Sequence, residues 1–211
     1  MTGRAYVGEL ISTKGWIKTN YDKAIWIPCP PGFRADMTRD QWADGFAQLW
    51  WDASGRGHGK RQVKNFSKML IAIQQTIYSE QPCHTALLHM PDVEYSPLPL
   101  LFGIWQALGE PEEQLRELVH AEEPVAIEKP VIEEVWTDDL GSGLKSMYYQ
   151  PLSKTKGVLA VLNYAWRSEK YQTALHIYTA TADWGRLQQA MPDIDEMTKT
   201  IAIVASSAQP E

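Results

Sequence analysis

A glycine-rich segment that ends in a lysine is the first pattern with possible chemistry, because such loops can cradle phosphate groups through their backbone N–H groups. Gly55, Gly57 and Gly59 precede Lys60. In the phosphate-binding loop of nucleotide hydrolases, a glycine would occupy the position of Ser54, and a serine or threonine would follow the lysine. Both are missing here. The sequence therefore argues against nucleotide hydrolysis and favours a loop that joins two helices.

Positive charge without negative charge is the second pattern. Between Ala53 and Ser79 the chain has no aspartate or glutamate. The cations of this segment are Arg56, Lys60, Arg61, Lys64 and Lys68. An amphipathic helix is predicted from about Gln62 to Ser79, and the lysines fall about 150° from its apolar stripe. Such a basic face can bind phosphates, anionic lipid headgroups or an acidic partner protein, and it can also be simply solvated.

A tryptophan lies just before this segment. The Thr-x-x-Gln capping box that begins at Thr38 predicts a helix to about Asp52. The apolar stripe predicted for this helix consists of Trp42, Phe46, Leu49 and Trp50. Trp51 falls on the far side, so it is either an exposed anchor at an interface or packed under the adjacent loop. We predict a partner-binding surface that consists of Trp51, Arg56, His58, Lys60, Arg61, Lys64 and Lys68.

Metal binding and catalysis have no motif in this sequence. The available metal ligands are Cys29, Cys83, His84, His89 and His120, without a Cys-x-x-Cys or His-x-x-x-His pair. There is no Gly-x-Ser-x-Gly elbow, and adjacent acids such as Glu133 and Glu134 point to opposite faces of a strand. His176 alternates with apolar neighbours and is expected to be a half-buried strand residue. We therefore predict no metal, no cofactor and no catalytic residue, which favours a protein that is not an enzyme.

The elements that position these residues form an α+β pattern. Four strand-like runs with short connections predict an antiparallel meander. They are Val131–Thr137, Leu144–Leu152, Val158–Trp166 and Tyr171–Thr181. Farther on, Ile194, Met197, Ile201 and Val204 recur at helical spacing and predict a terminal helix over one face of the sheet. We predict one α/β/α sandwich over residues 1–204, with a mostly antiparallel sheet of about six or seven strands covered by helices, and a flexible tail at 205–211.

Charge and hydropathy exclude other classes of protein. The chain has 211 residues and a formal net charge of −6, which disfavours a generally basic nucleic-acid-binding protein. The longest apolar run, from Leu98 to Leu108, is far shorter than the roughly 18 to 20 residues that a membrane span needs. The segment from Met1 to Tyr6 lacks the pattern of a secretory signal, so we expect a cytoplasmic protein without a membrane span.

The order of these elements resembles the PsbP-like α/β/α sandwich, including its LpqN-type bacterial members. At one end the resemblance rests on Ile25-Trp26-Ile27-Pro28, Gly32-Phe33 and Trp42; at the other it rests on the strands Val158–Trp166 and Tyr171–Thr181 and on Ile194–Ile203. Members of this family serve mostly as binding modules, assembly factors or adaptors and share no catalytic residues. The resemblance therefore implies a binding role and transfers no active site.

These observations predict a non-enzymatic binding or adaptor protein that recognises a protein partner through the aromatic and basic helix–loop surface. One alternative is a small-molecule-binding protein or enzyme with a pocket between the sheet and the first two helices. Another is a structural component of a larger secretion or phage assembly, for which the acidic stretch from Glu110 to Asp139 would be a docking edge. The oligomeric state does not follow from the sequence.

Overall fold

The computed structural model describes residues 15–33, 35–57, 59–80, 83, 85–152 and 157–205. The chain forms two compact units, of which one contains Asp22–Leu101 and the other contains the residues up to Tyr21 and those from Phe102 onward. The single domain over residues 1–204 stays a prediction. Ala205 ends a strand, and the rest of the predicted tail lies outside the described residues. No helix in the described part of the chain is long and apolar enough to cross a membrane.

Four helices and nine strands lie within the described residues. In chain order they are β1 (Gly15–Lys18), β2 (Trp26–Cys29), α1 (Arg39–Ala53), α2 (Lys60–Glu80), β3 (Thr85–His89), β4 (Leu98–Gln106), α3 (Pro111–Leu118), β5 (Val131–Thr137), β6 (Gly141–Pro151), β7 (Val158–Ser168), β8 (Thr173–Thr181), α4 (Trp184–Lys199) and β9 (Ala202–Ala205). Seven strands form one sheet in the order β2-β3-β4-β8-β7-β6-β5, and β1 pairs with β9 separately. The predicted α+β class, with an antiparallel sheet covered by helices, is confirmed.

In the unit of residues 22–101, two tryptophans of α1 connect the helix to strand ends. The indole N–H of Trp42 donates to the carbonyl of Pro28 at 3.1 Å, and that of Trp50 donates to the carbonyl of Met90 at 2.9 Å. Both rings are buried, and Thr38 and Gln41 form the predicted capping box. Buried indoles need such partners, because an unpaired N–H away from water costs free energy.

The stripe predicted for α1 is wrong at Leu49, whose side chain is 55% exposed. The buried positions are Trp42, Ala43, Ala47 and Trp50. Their sector is centred roughly 100° from Leu49 on a helical wheel. Two small alanines, Ala43 and Ala47, complete the buried face beside the tryptophans.

In the other unit, β5 to β8 form the predicted antiparallel meander, with Lys145 opposite Tyr164 and Ser146 opposite Asn163. Because neighbouring residues on a strand point to opposite faces, these two pairs mark the two sides of the sheet. The hydroxyl of Ser146 donates to the carbonyl of Val119, just after α3, whereas Lys145 bonds Asp195 of α4. Helical segments therefore cover both faces of the meander.

The predicted terminal helix is confirmed, but the prediction is wrong at its C-terminal end. The helix begins at Trp184, where Asp183 accepts a hydrogen bond from the backbone of Arg186, and it ends at Lys199. Residues 202–205, at the end of the predicted stripe, form β9 and pair with β1 instead. The β-branched residues Ile203 and Val204 suit a strand, and pairing with Ile17 and Trp16 of β1, far away in the chain, overrides their helical spacing.

Candidate functional site

The loop between α1 and α2 ends one helix and starts the next through local hydrogen bonds. Gly55 has a φ of +65°, a left-handed conformation that glycine adopts without steric strain after a helix end. The N–H of Gly59 donates to Oε1 of Gln62 at 2.6 Å, and the Gly59 carbonyl accepts from the Gln62 N–H at 3.0 Å. These reciprocal bonds cap α2 and place Lys60 and Arg61 in its first turn.

The exposed side of α2 carries four cations, which we call the basic face: Lys60, Arg61, Lys64 and Lys68. All four side chains are exposed and fall within a sector of about 100° on a helical wheel. Across the described residues, no carboxylate lies within 4 Å of any of the four. The buried face of α2 contains Phe66, Leu70 and Ile77, as predicted.

The electrostatic setting of the basic face adds to its positive potential. The first turn of α2 contains no acidic residue. A helix N-terminus already carries about half a positive charge, so each cation there is unfavourable by roughly 0.3–1 kcal/mol. Gln62, and not a carboxylate, caps the helix. Because the helix dipole and the cations have the same sign at the start of α2, a negative charge from another molecule would be stabilised there.

The other predicted site residues do not join the basic face as free groups. Arg56 forms ion pairs with Asp92, at 3.0 Å, and with Glu94. Trp51 is half-buried instead of exposed, and Ser54 donates to its carbonyl at 2.7 Å. His58 lies outside the described residues. Of the seven predicted residues, the structure thus places four on one exposed surface.

A cleft in the same unit involves residues that the sequence did not single out. It has a volume of about 350 Å³. Its lining consists of Pro31, Arg39, Gln74, Gln75, Tyr78 and Ser79. No sequence motif marks these residues, because the chain segment before α1, the start of α1 and the end of α2 contribute to one cleft only after packing.

Three polar side chains meet on the α4 side of the meander, and no sequence pattern marks them. Nζ of Lys145 lies 2.8 Å and 3.0 Å from the carboxylate oxygens of Asp195, and the Tyr164 hydroxyl donates to the same carboxylate at 2.6 Å. Lys145 and Tyr164 are buried. Burial, followed by the adjacent Asp195 charge, raises the pKa of the Tyr164 hydroxyl. This cluster holds α4 on the sheet, and the Tyr164 hydroxyl in it keeps its proton near neutral pH.

A second polar line crosses the opposite face of the meander. Asn163 donates from Nδ2 to Oγ of Ser146 at 3.1 Å, and its Oδ1 lies 3.1 Å from Nε2 of His176. His176 is 4% exposed, so the expectation of a half-buried residue is wrong, because both faces of the sheet are covered. Burial, with a smaller contribution from His120, lowers the pKa of His176 to about 3. The neutral ring is therefore suited to a structural role.

Metal and thiol chemistry find no support within the described residues. No group of three or more histidine, cysteine, aspartate or glutamate side chains there can hold a metal ion. Cys29 and Cys83 are free thiols. Burial raises the pKa of Cys29 to about 12 and that of Cys83 to about 11, so neither is a thiolate near neutral pH.

Comparison with known proteins gives a structural likeness. No protein-family model matches the sequence, and no curated protein sequence is detectably similar to it. The fold is similar to that of LpqN. The crystal structure of that protein, "involved in cell envelope biogenesis of Mycobacterium tuberculosis", matches with a TM-score of 0.51 and 8% identity, over 92% of this chain and 86% of LpqN. At this identity the likeness shows the fold alone.

Proposed function

We propose that this protein is a non-enzymatic binding or adaptor protein that recognises an acidic surface of a partner protein through the basic face of α2. One observation carries the proposal: four exposed cations share one side of a helix that has no acidic residue before Glu80. Solvated helix faces usually mix both signs of charge, because ion pairs three or four residues apart stabilise a helix. The basic face lacks that internal compensation.

Electrostatics favours a protein partner with clustered carboxylates. Unscreened cations on one surface steer an acidic partner into place and raise its association rate, and added salt weakens that effect within a Debye length of about 8 Å at physiological ionic strength. Trp51 and Arg56 do not carry the proposal, since Trp51 is half-buried and Arg56 already pairs with Asp92. The proposed contact residues are Lys60, Arg61, Lys64 and Lys68.

Location and family belong to the same proposal. We propose a cytoplasmic protein of the PsbP-like, LpqN-type group; the order of its elements and the structural likeness to LpqN support the group and not the location. The description of LpqN links that protein to cell envelope biogenesis, so envelope proteins are among the partners to examine first. Because the likeness is one of fold alone, the partner must come from experiment.

The test is a charge-reversal pulldown. A variant with Lys60→Glu, Lys64→Glu and Lys68→Glu is compared with the wild type for capture of proteins from the native host, followed by mass spectrometry and by titration of the captured partner. We expect the variant to bind the partner at least tenfold more weakly, and wild-type binding to weaken as salt is raised. Glutamates near the start of α2 suit the helix dipole, so the variant should remain folded.

A matched control separates the basic face from overall charge. Lys23, Lys129 and Lys170 are exposed lysines away from α2, and their reversal to glutamate changes the net charge equally. This control should keep wild-type affinity. Equal loss of binding in both triple variants, or unchanged binding in the α2 variant, would refute the proposal.

A further inference from the structure

The cleft lined by Arg39 and Gln74 has unused hydrogen-bonding groups that point to a ligand of definite chemistry. Gln74 is 1% exposed, and its Nε2 donates to the carbonyl of Pro30 at 3.0 Å. That bond fixes the amide, so Oε1 faces away from Pro30. No described residue donates a hydrogen bond to this oxygen, although it is inaccessible to solvent in the folded chain. A buried acceptor without a donor is costly, so a ligand donor that reaches this oxygen through a small shift of the cleft side chains would bind favourably there.

Arg39 supplies the complementary charge. Its Nε is also buried and has no hydrogen-bond partner among the described residues. The guanidinium lies 5.9 Å from the centre of the Phe33 ring, which holds it without neutralising its charge. The cleft lining contains no carboxylate, and neither Asp36 nor the adjacent Asp40 lies within ion-pair distance of Arg39 in the described structure. Arg39 is thus a cation at a cleft and has no counter-ion among the described residues.

The remaining polar groups of the cleft act mainly as acceptors. The hydroxyl of Tyr78 donates to the carbonyl of Cys29, and that of Ser79 donates to the carbonyl of Thr76. With its proton so engaged, the Ser79 oxygen can only accept a further hydrogen bond, whereas the Tyr78 oxygen already accepts from Thr85 and Ala86. The exposed Gln75 amide can donate or accept. The cleft therefore combines the Arg39 cation with free acceptor oxygens on Gln74 and Ser79, which favours an anionic ligand that also carries N–H or O–H groups.

We propose that this cleft is a binding site for a carboxylate that carries an N–H donor on the same molecule, as in an N-acylated amino acid or the C-terminal residue of a peptide. The planar carboxylate matches the guanidinium of Arg39 with two parallel hydrogen bonds, and the N–H satisfies Oε1 of Gln74. A volume of about 350 Å³ is at the lower end of the range for ligand sites, so it suits one such residue. The site is independent of the basic face and of the proposed protein partner.

The experiment is an NMR titration of the ¹⁵N-labelled full chain at constant ionic strength. The probes are N-acetylglycine, acetate, which lacks the N–H, and N-acetylglycinamide, which lacks the carboxylate. We expect N-acetylglycine to shift the Arg39 Nε–H and the Gln74 side-chain amide signals with a saturable isotherm, acetate to bind more weakly, and N-acetylglycinamide to bind at least tenfold more weakly. A tripeptide that ends in a free carboxylate distinguishes the sources: tighter binding than N-acetylglycine indicates a peptide terminus, and weaker binding indicates a free acylated amino acid.

Two arginine variants control for charge. Arg39→Gln and Arg61→Gln each remove one cation, and only Arg39 lines the cleft. We expect Arg39→Gln to weaken N-acetylglycine binding at least tenfold and Arg61→Gln to leave it unchanged. Gln74→Leu should reduce N-acetylglycine binding to the level of acetate while leaving acetate binding unchanged. Absence of a saturable shift, equal losses in the two arginine variants, or equal binding of N-acetylglycinamide would overturn the proposal.

Discussion

Removal of the Asp195 carboxylate should destabilise the protein by about 3 kcal/mol. In the variant Asp195→Ala, the Lys145 side chain, which is 10% exposed, loses its counter-ion at 2.8 Å, and the buried Tyr164 hydroxyl loses its acceptor. Loss of one partner of a buried ion pair costs about 3–5 kcal/mol. We take the lower end, because the Asp195 side chain is 39% exposed and Glu133 lies 3.9 Å from Lys145 as a second carboxylate. For a chain of this length the expected loss corresponds to about 6–12 °C in Tm.

The assay is urea and thermal unfolding followed by circular dichroism, with a control on the same helix. Glu196 pairs with Lys199 on the surface of α4, so Glu196→Ala should cost less than about 0.5 kcal/mol. Replacing both members of the buried pair, as in Lys145→Met with Asp195→Leu, should recover most of the loss, since no charge is then left unpaired. If Asp195→Ala costs no more than Glu196→Ala, the cluster does not hold α4 as argued.

Three further predictions concern the pH dependence, the sheet and the start of α1. The pKa of His176 is about 3 in the folded protein against 6.5 in the unfolded chain, so the unfolded state binds more protons between these values. The free energy of unfolding should therefore fall as the pH is lowered from 6.5 toward 3, and this residue contributes up to about 1.4 kcal/mol per pH unit. Urea unfolding of the variant His176→Gln should show a smaller fall of this free energy with pH. The same fall in the variant and the wild type would contradict the lowered pKa of His176. A Cβ at Gly143 would lie 2.5 Å from the Trp166 ring, so Gly143→Ala should lower the free energy of unfolding by about 1–3 kcal/mol. The control Gly32→Ala adds a Cβ that meets no atom within 4 Å and should stay within about 0.5 kcal/mol of the wild type. Equal effects of the two variants would count against this packing of Gly143 on Trp166. Thr38→Ala removes the side-chain cap of α1 and should lower the free energy of unfolding by about 1 kcal/mol, whereas Thr38→Ser keeps the hydroxyl and should stay near the wild type. Equal stability of Thr38→Ala and the wild type would show that the cap contributes nothing.

The elements predicted well from sequence are those whose signals are local. Thr38 and Gln41 cap α1 through each other's backbone, and the capping box needs no other part of the chain. The stripe of α2 and the strand Val131–Thr137 likewise follow from periodicity and nearby turn residues. By contrast, β9 forms because β1 provides its partner strand, and the helical spacing of Ile201 and Val204 carries no information about that distant segment.

The candidate sites divide in the same way. The basic face was predictable because four cations on one helix, with no acidic residue before Glu80, are visible in the sequence. The ion pair between Lys145 and Asp195 joins residues 50 positions apart, and it depends on the register of β6 with β7 and on the position of α4. The Arg39–Gln74 cleft depends in the same way on packing within residues 22–101, and a single arginine and a single glutamine have no distinguishing pattern in sequence.

Helix α2 has a buried face that packs and an exposed face that carries the four cations. The buried face, with Phe66, Leu70 and Ile77, accounts for its packing. The cations on the opposite face contribute no ion pair within the described structure, and Lys60 and Arg61 oppose the helix dipole in the first turn. Within the described structure these charges therefore form no stabilising ion pair, and glutamates in the first turn would suit the helix dipole better. An acidic partner for these cations is our proposal, and the charge-reversal pulldown tests it.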